Sequence, residues 1–111
     1  MEVTTKEFKR CDLVTASGRI DSHTAPQLAE VFDTIIKTNR YKLVFDMSEV
    51  GFISSAGVRV IINVQKSCKH LTRGELVLVA VPQRIRETFD LAGLLPLFKF
   101  FDTVVDAVGS F

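Results

Sequence analysis

Ser54 and Ser55 stand together where a run of strand-forming residues gives way to a helical pattern, and a hydroxyl at such a junction can do three things. It can attack a substrate, cap a helix or accept a phosphate. Attack from a strand-to-helix turn needs glycine two residues before the serine, and Ile53 stands before Ser55 instead. His23 and His70 are the only imidazole bases, and no spacing sets either beside Ser55, so serine hydrolysis is not indicated. No glycine loop of the P-loop or dinucleotide type is present, which argues against ATP binding by this chain alone. Cys11, Cys68 and the two histidines are too scattered for a structural zinc site. Capping and phosphate acceptance both remain: a serine oxygen satisfies orphan N–H groups, and a phosphate there meets the positive end of the helix dipole.

The elements around the serines follow from the hydrophobic period. Leu43, Val44 and Phe45 predict a strand over Lys42–Met47, and Asp46, Ser48, Glu49 and Gly51 supply turn chemistry after it. Beyond the serines, Gly57, Val60, Ile61, Val64, Cys68 and Leu71 fall on one helical face, predicting a helix over Ser55–Leu71. Upstream, Val3–Phe8 and Leu13–Ala16 read as two strands split by the polar run Lys9–Asp12, with a loop from Gly18 to Thr24. Thr24-Ala25-Pro26-Gln27 reads as a helix start with Thr24 at the cap; Leu28, Val31, Phe32, Ile35 and Ile36 form its apolar side, and Asn39 closes it. Downstream, Gly74 turns the chain into a doubly buried strand over Glu75–Val81, and Pro82 opens a helix carrying Ile85 and Phe89 that stops at Gly93. Leu97–Phe101 reads as an edge strand, and Asp102 as the cap of a last helix bearing Val104, Val105 and Val108. Strand alternating with helix after two initial strands is an α/β pattern with a partly parallel sheet, whose functional groups gather beyond the carboxyl ends of the strands.

Composition sets the outer limits. A chain of 111 residues, 47% apolar and 24% charged, is sized for one globular domain with one core. A net charge of +1 argues against nucleic acid as the main ligand. Two cysteines do not make a disulfide framework, and Cys68 lies on the apolar helix face as a reduced core thiol. No signal-peptide pattern opens the chain and no apolar run approaches the roughly 18 residues of a membrane span, so a cytoplasmic protein with no membrane partner is expected. Arg59, Asn63, Lys66 and His70 make the outer face of the Ser55–Leu71 helix polar and mildly basic, with Val58 and Ile62 on its shoulder. Such faces are ordinarily just solvated. An apolar shoulder and basic face beside an exposed hydroxyl would also suit a docking surface.

Three stretches carry a family likeness. Gly18-Arg19-Ile20-Asp21-Ser22-His23-Thr24-Ala25, Phe52-Ile53-Ser54-Ser55-Ala56-Gly57-Val58 and Arg86-Glu87-Thr88-Phe89-Asp90-Leu91-Ala92-Gly93-Leu94 resemble the landmark segments of the STAS family, most closely bacterial anti-sigma factor antagonists. The likeness runs in order over almost the whole chain, which implies one STAS domain over residues 1–111. It implies an α/β fold with a mixed sheet of about five strands and about four helices, and a binding module rather than an enzyme. In such antagonists a serine at the start of the central helix is phosphorylated by the anti-sigma factor, itself a serine kinase. The unphosphorylated form binds that kinase and frees the sigma factor, phosphorylation abolishes binding, and a phosphatase resets the switch.

Carried over residue by residue, the phosphoacceptor falls on Ser55 and the family glycine on Gly57, while Val58 replaces the usual leucine. Ser54 stands where many kinase-regulated antagonists carry aspartate, and is a competing acceptor. Asp21 matches an acidic position in the loop before the first helix, where an Asx-turn is the alternative to partner contact. Asp21, Ser54, Ser55, Gly57, Val58, Arg59 and Ile62 are the expected partner-binding set, with no cofactor or metal of the chain's own; nucleotide and Mg²⁺ would belong to the kinase. The chain is expected to be a monomer or weak dimer. The rival readings are a STAS subunit of a transporter, such as a lipid-transport complex, and a small-ligand or nucleotide-sensing STAS module.

Overall fold

In the computed structural model, which describes residues 1–71 and 74–111, one five-stranded sheet carries helices on both faces. The elements are β1 (Glu2–Glu7), β2 (Asp12–Ile20), α1 (Ala25–Ile36), β3 (Lys42–Ile53), α2 (Ser55–Leu71), β4 (Glu75–Val79), α3 (Gln83–Leu91), β5 (Lys99–Phe101) and α4 (Val104–Gly109), with a 3₁₀ turn at Leu95–Leu97. Spatial order follows chain order: β1 pairs antiparallel with β2, and β2 through β5 run parallel. The mixed sheet with four α-helices is the α/β architecture that the pattern and the likeness imply.

Alternation along β3 and β4 sorts the core into two layers. Leu43, Phe45, Met47, Leu76 and Leu78 face α1, α2 and α3, where they meet Leu28, Phe32, Ile61, Cys68, Ile85 and Phe89 in the main core. Phe32 packs edge-on against Phe45 with ring centroids 5.3 Å apart. Val44, Val77 and Val79 face the opposite way and pack with Cys11 and with Ala107 of α4. Burial on both faces explains why β4 reads as a continuous apolar run. Both cysteines are free and buried, and burial pushes the Cys68 thiol up to about 11. On the apolar face of α2, Gly57, Ile61, Val64 and Cys68 are buried and Val60 is half-buried; the place of the Leu71 side chain on that face lies outside the described residues.

Several boundaries differ from expectation. The loop over Gly18–Thr24 begins only after Ile20, because β2 continues alongside β3 through irregular register between Thr15 and Ser17 and between Gly18 and Arg19. β3 likewise continues beyond Met47 to Ile53, so Ser48, Glu49 and Gly51 are exposed strand residues rather than a turn. β4 ends at Val79, where Ala80 takes a positive φ of 50°. Pro96 lies in the 3₁₀ turn, leaving β5 only Lys99–Phe101. The last helix is capped not by Asp102 but by Thr103, whose hydroxyl accepts from the Asp106 N–H at 3.2 Å, and Val105 is exposed. Asn39, at φ 65°, follows α1, and Gly93, at φ 72°, follows α3. After Gly93 the Leu94 N–H returns to the Phe89 carbonyl at 2.8 Å, a Schellman closure.

Candidate functional site

The parallel register brings Ile20 opposite Ile53, so the chain leaves β2 into Asp21 and leaves β3 into Ser54 at the same end of the sheet. One bond joins the two exits: the Ser54 N–H donates to the Ile20 carbonyl at 2.8 Å. α2 starts immediately after it. The Val58 N–H donates to the Ser54 carbonyl at 3.0 Å, and the Ser54 hydroxyl oxygen accepts a long 3.4 Å bond from the Gly57 N–H. Ser54 is thus the half-buried cap, and Ser55 is the first helical residue with its side chain exposed.

Gly57 holds this geometry from below. It is buried, and a Cβ there would lie 2.6 Å from Ile20 Cγ2 and 2.7 Å from Ile53 Cγ1. Only a residue without a side chain lets the first turn of α2 sit so close to both strand ends. Gly57, expected among the contact residues, lies beneath the surface that its neighbours form.

Asp21 is largely committed to its own turn. Its Oδ1 accepts from the His23 N–H at 2.9 Å and the Thr24 N–H at 3.1 Å, an Asx-type turn, and these two bonds hold the carboxyl below the usual aspartate value. Oδ2 lies 3.9 Å from Arg19 Nε. Thr24 makes no side-chain cap for α1, contrary to expectation; its hydroxyl donates to the Arg19 carbonyl at 2.8 Å and accepts from the Asp21 N–H at 2.9 Å. The hydroxyl is drawn into the turn and so does not reach the helix.

Val58 and Ile62 are half-buried, and Arg59 is exposed between them. With Ser55 they line one side of an open groove of about 420 Å³, whose other side is Thr88, Ala92 and Leu94 from the end of α3. Those three opposing residues are absent from the sequence-derived set; their one signal is that they belong to the third landmark stretch. The Arg19–Phe52 pair is a second omission. These residues face each other across β2 and β3, and the guanidinium lies 4.2 Å from the centre of the exposed Phe52 ring, beside the Asp21 turn. No period marks Phe52, because it lies in the irregular end of β3.

Of the two histidines, His23 sits in the Asp21 turn, its backbone N–H bound to that carboxylate, and His70 lies 15 residues along α2, about 22 Å of helix from Ser55. Among the described residues no three His, Cys, Asp or Glu side chains gather to hold a metal, and no helix is long and apolar enough to cross a membrane.

Fold and site together define a class: an α/β domain with a mixed sheet, an exposed serine opening its central helix, and a shallow groove beside it. The STAS domain model matches residues 2–107, and the chain belongs to the STAS family. BtrV of Bordetella bronchiseptica is 28% identical over 111 residues, covering 100% of this chain and 95% of that protein. The anti-sigma-B factor antagonist of Listeria monocytogenes is 29% identical over 99 residues, covering 89% of this chain and 85% of that one. Among solved structures, protein TM1081 of Thermotoga maritima superposes with a TM-score of 0.90 at 22% identity, covering 97% of this chain and 92% of that one. The fold is shared more widely: a sulfate transporter family protein of Wolinella succinogenes matches with a TM-score of 0.78 at 21% identity, covering 92% of this chain and 84% of that one.

Proposed function

We propose that this chain is an anti-sigma factor antagonist acting in the cytoplasm, a protein-binding STAS module over residues 1–111 with no catalysis of its own. Its unphosphorylated form binds an anti-sigma factor that is also a serine kinase, so that the sigma factor is released. Phosphorylation at Ser55 switches binding off, and a cognate phosphatase restores it. The observation that carries this reading is the exposed Ser55 side chain at the rim of the groove between α2 and the end of α3. The names of the sequence relatives support the choice of partner over a transport complex.

The chemistry is local. A phosphoserine adds roughly −1.5 to −2 charges near pH 7. On its own domain that charge faces the first N–H groups of α2 and the positive end of the dipole, an interaction worth about 0.3–1 kcal/mol in its favour. Pressed against a partner across Val58, Arg59 and Ile62, the same charge must shed water, and a few kcal/mol of penalty lowers affinity a hundredfold or more. The helix stays folded while the complex dissociates. Asp21 and Ser54 complete the contact surface, and Gly57 positions it.

Incubation with candidate anti-sigma kinases and ATP, followed by mass spectrometry, tests the assignment. Phosphate on Ser55 is expected. Phosphate on Ser54, or no modification by any kinase that binds the chain, would overturn the assigned acceptor.

A further inference from the structure

A second groove lies farther along α2, and its chemistry differs from that at Ser55. It encloses about 520 Å³ between the helix and the 3₁₀ turn, lined by Ile62, Gln65, Lys66, Lys69, His70 and Leu97. Ile62, Lys66 and Lys69 fall at i, i+4 and i+7, on one face of the helix. Ile62 also lines the first groove, so the two are continuous over this residue.

The floor is apolar and fixed. Leu97, 44% exposed, and the half-buried Ile62 supply its apolar surface. Gln65, itself 5% exposed, fastens the backbone there: its amide nitrogen donates to the Leu97 carbonyl at 2.8 Å and to the Leu76 carbonyl at 3.1 Å, while its oxygen accepts from the Leu76 N–H at 2.8 Å. With both amide hydrogens and the oxygen engaged, Gln65 presents no unsatisfied polar atom to the groove. The rim is cationic. None of the lining residues is acidic, and neither Lys66 nor Lys69 joins an ion pair among the described residues.

We infer that this groove is a second contact surface that takes an acidic amphipathic helix of the partner protein, its leucine-type side chains on Ile62 and Leu97 and its carboxylates on Lys66, Lys69 and His70. Charge complementarity selects the occupant. An apolar floor excludes a bare anion as the main ligand, and two lysines with one histidine on a chain of net charge +1 are too few for a nucleic acid or an anionic bilayer. The identity of that partner as the anti-sigma factor rests on the function proposed above, while the groove's preference for an acidic helix does not.

A synthetic 14-residue helical peptide with leucines on one face and glutamates on the other is the probe, titrated into the ¹⁵N-labelled full chain. The comparison peptide carries lysine in place of each glutamate. Amide shifts centred on Ile62, Lys66, Lys69, His70 and Leu97 are expected with the acidic peptide alone. Lys66→Glu with Lys69→Glu, both on the exposed face, should weaken binding about tenfold, and rising salt should act in the same direction. Ser55→Asp should leave the peptide affinity within about twofold, which separates this groove from the switch. Equal binding of both peptides, shifts confined to other surfaces, or binding to phosphatidylglycerol vesicles with none to the acidic peptide would overturn the inference. So would unchanged affinity in the double variant with its native spectrum retained.

Discussion

The two ends of the parallel strands each hold an aspartate near an arginine, and they use the pair in opposite ways. At the amino end, Asp12 is 5% exposed and bound through both carboxylate oxygens by Arg40 Nε at 2.9 and 3.0 Å, while Arg40 Nη2 also donates to the carbonyls of Phe8 and Cys11. At the carboxyl end, Asp21 keeps one oxygen in its own turn and leaves the other only loosely opposite an exposed Arg19 at 3.9 Å. The first arrangement neutralises a buried charge and ties the β1–β2 turn to the segment entering β3. The second leaves charge, an aromatic ring and a hydroxyl at the surface. One end holds the fold together and the other leaves its groups at the surface, where the charge-based switch proposed at Ser55 would act.

Substitutions at the two ends should separate these roles. The largest loss of stability is expected from Asp12→Ala, which leaves Arg40 without its carboxylate: about 3 kcal/mol, read from denaturant midpoints, with partner affinity unchanged. A loss under about half a kcal/mol would mean the pair contributes nothing that water cannot replace. Ser55→Asp should invert that profile, with native stability and affinity for the anti-sigma partner down about a hundredfold, whereas Ser55→Ala should bind nearly as the native chain does. Equal affinities of the two variants by calorimetry would remove the electrostatic basis of the switch.

Gly57→Ala should fall between the two. The new methyl meets Ile20 and Ile53 at under 2.8 Å, and overpacking of that kind costs about 1–3 kcal/mol. A helix-propensity gain of about 1 kcal/mol offsets part of it, leaving a net loss of at most about 2 kcal/mol. Weakened binding without lost stability would show that Gly57 touches the partner after all. The smallest effect concerns pH. Hydrogen bonds to the ionised Asp21 hold its folded-state value below the ordinary 3.8, so its contribution to stability is present above that value and is lost as pH falls through the folded one. The Asp21 side-chain carboxyl resonance should titrate below 3.8, moving together with the amides of His23 and Thr24. A midpoint at or above 3.8 would dissolve the turn as described.

The sequence made the central helix legible to the residue, because seventeen residues of unbroken period leave little room for another structure. The strand ends beside the site were not legible. Ser17–Ile20 and Ser48–Ile53 both look like loop when taken alone, since Gly18, Ser48, Glu49 and Gly51 break the alternation. They become strand only against each other, through a pairing that no local window contains. The places of Ser55 and Arg59 on the first turns of α2 were readable because they sit on the periodic helix. The opposing wall of Thr88, Ala92 and Leu94 was not, because its position depends on how α3 packs. Polar residues next to a helix start were the other source of error: Thr24 and Asp102 each have the right chemistry for a cap, and neighbouring backbone geometry gave Thr24 other partners and the second cap to Thr103.

The carboxamide of Gln65 has a consequence for how fast such a molecule can respond. Its three bonds fasten the middle of α2 to the start of β4 and to the 3₁₀ turn, so sliding the helix by one turn, about 5.4 Å, would break all three inside a buried site. A rod pinned at its midpoint transmits no stroke. Whatever happens to the hydroxyl at its tip therefore stays at the tip. On the function proposed above, the molecule needs no slow rearrangement before it can be read, and the tempo of signalling would be left to the enzymes that add and remove the phosphate.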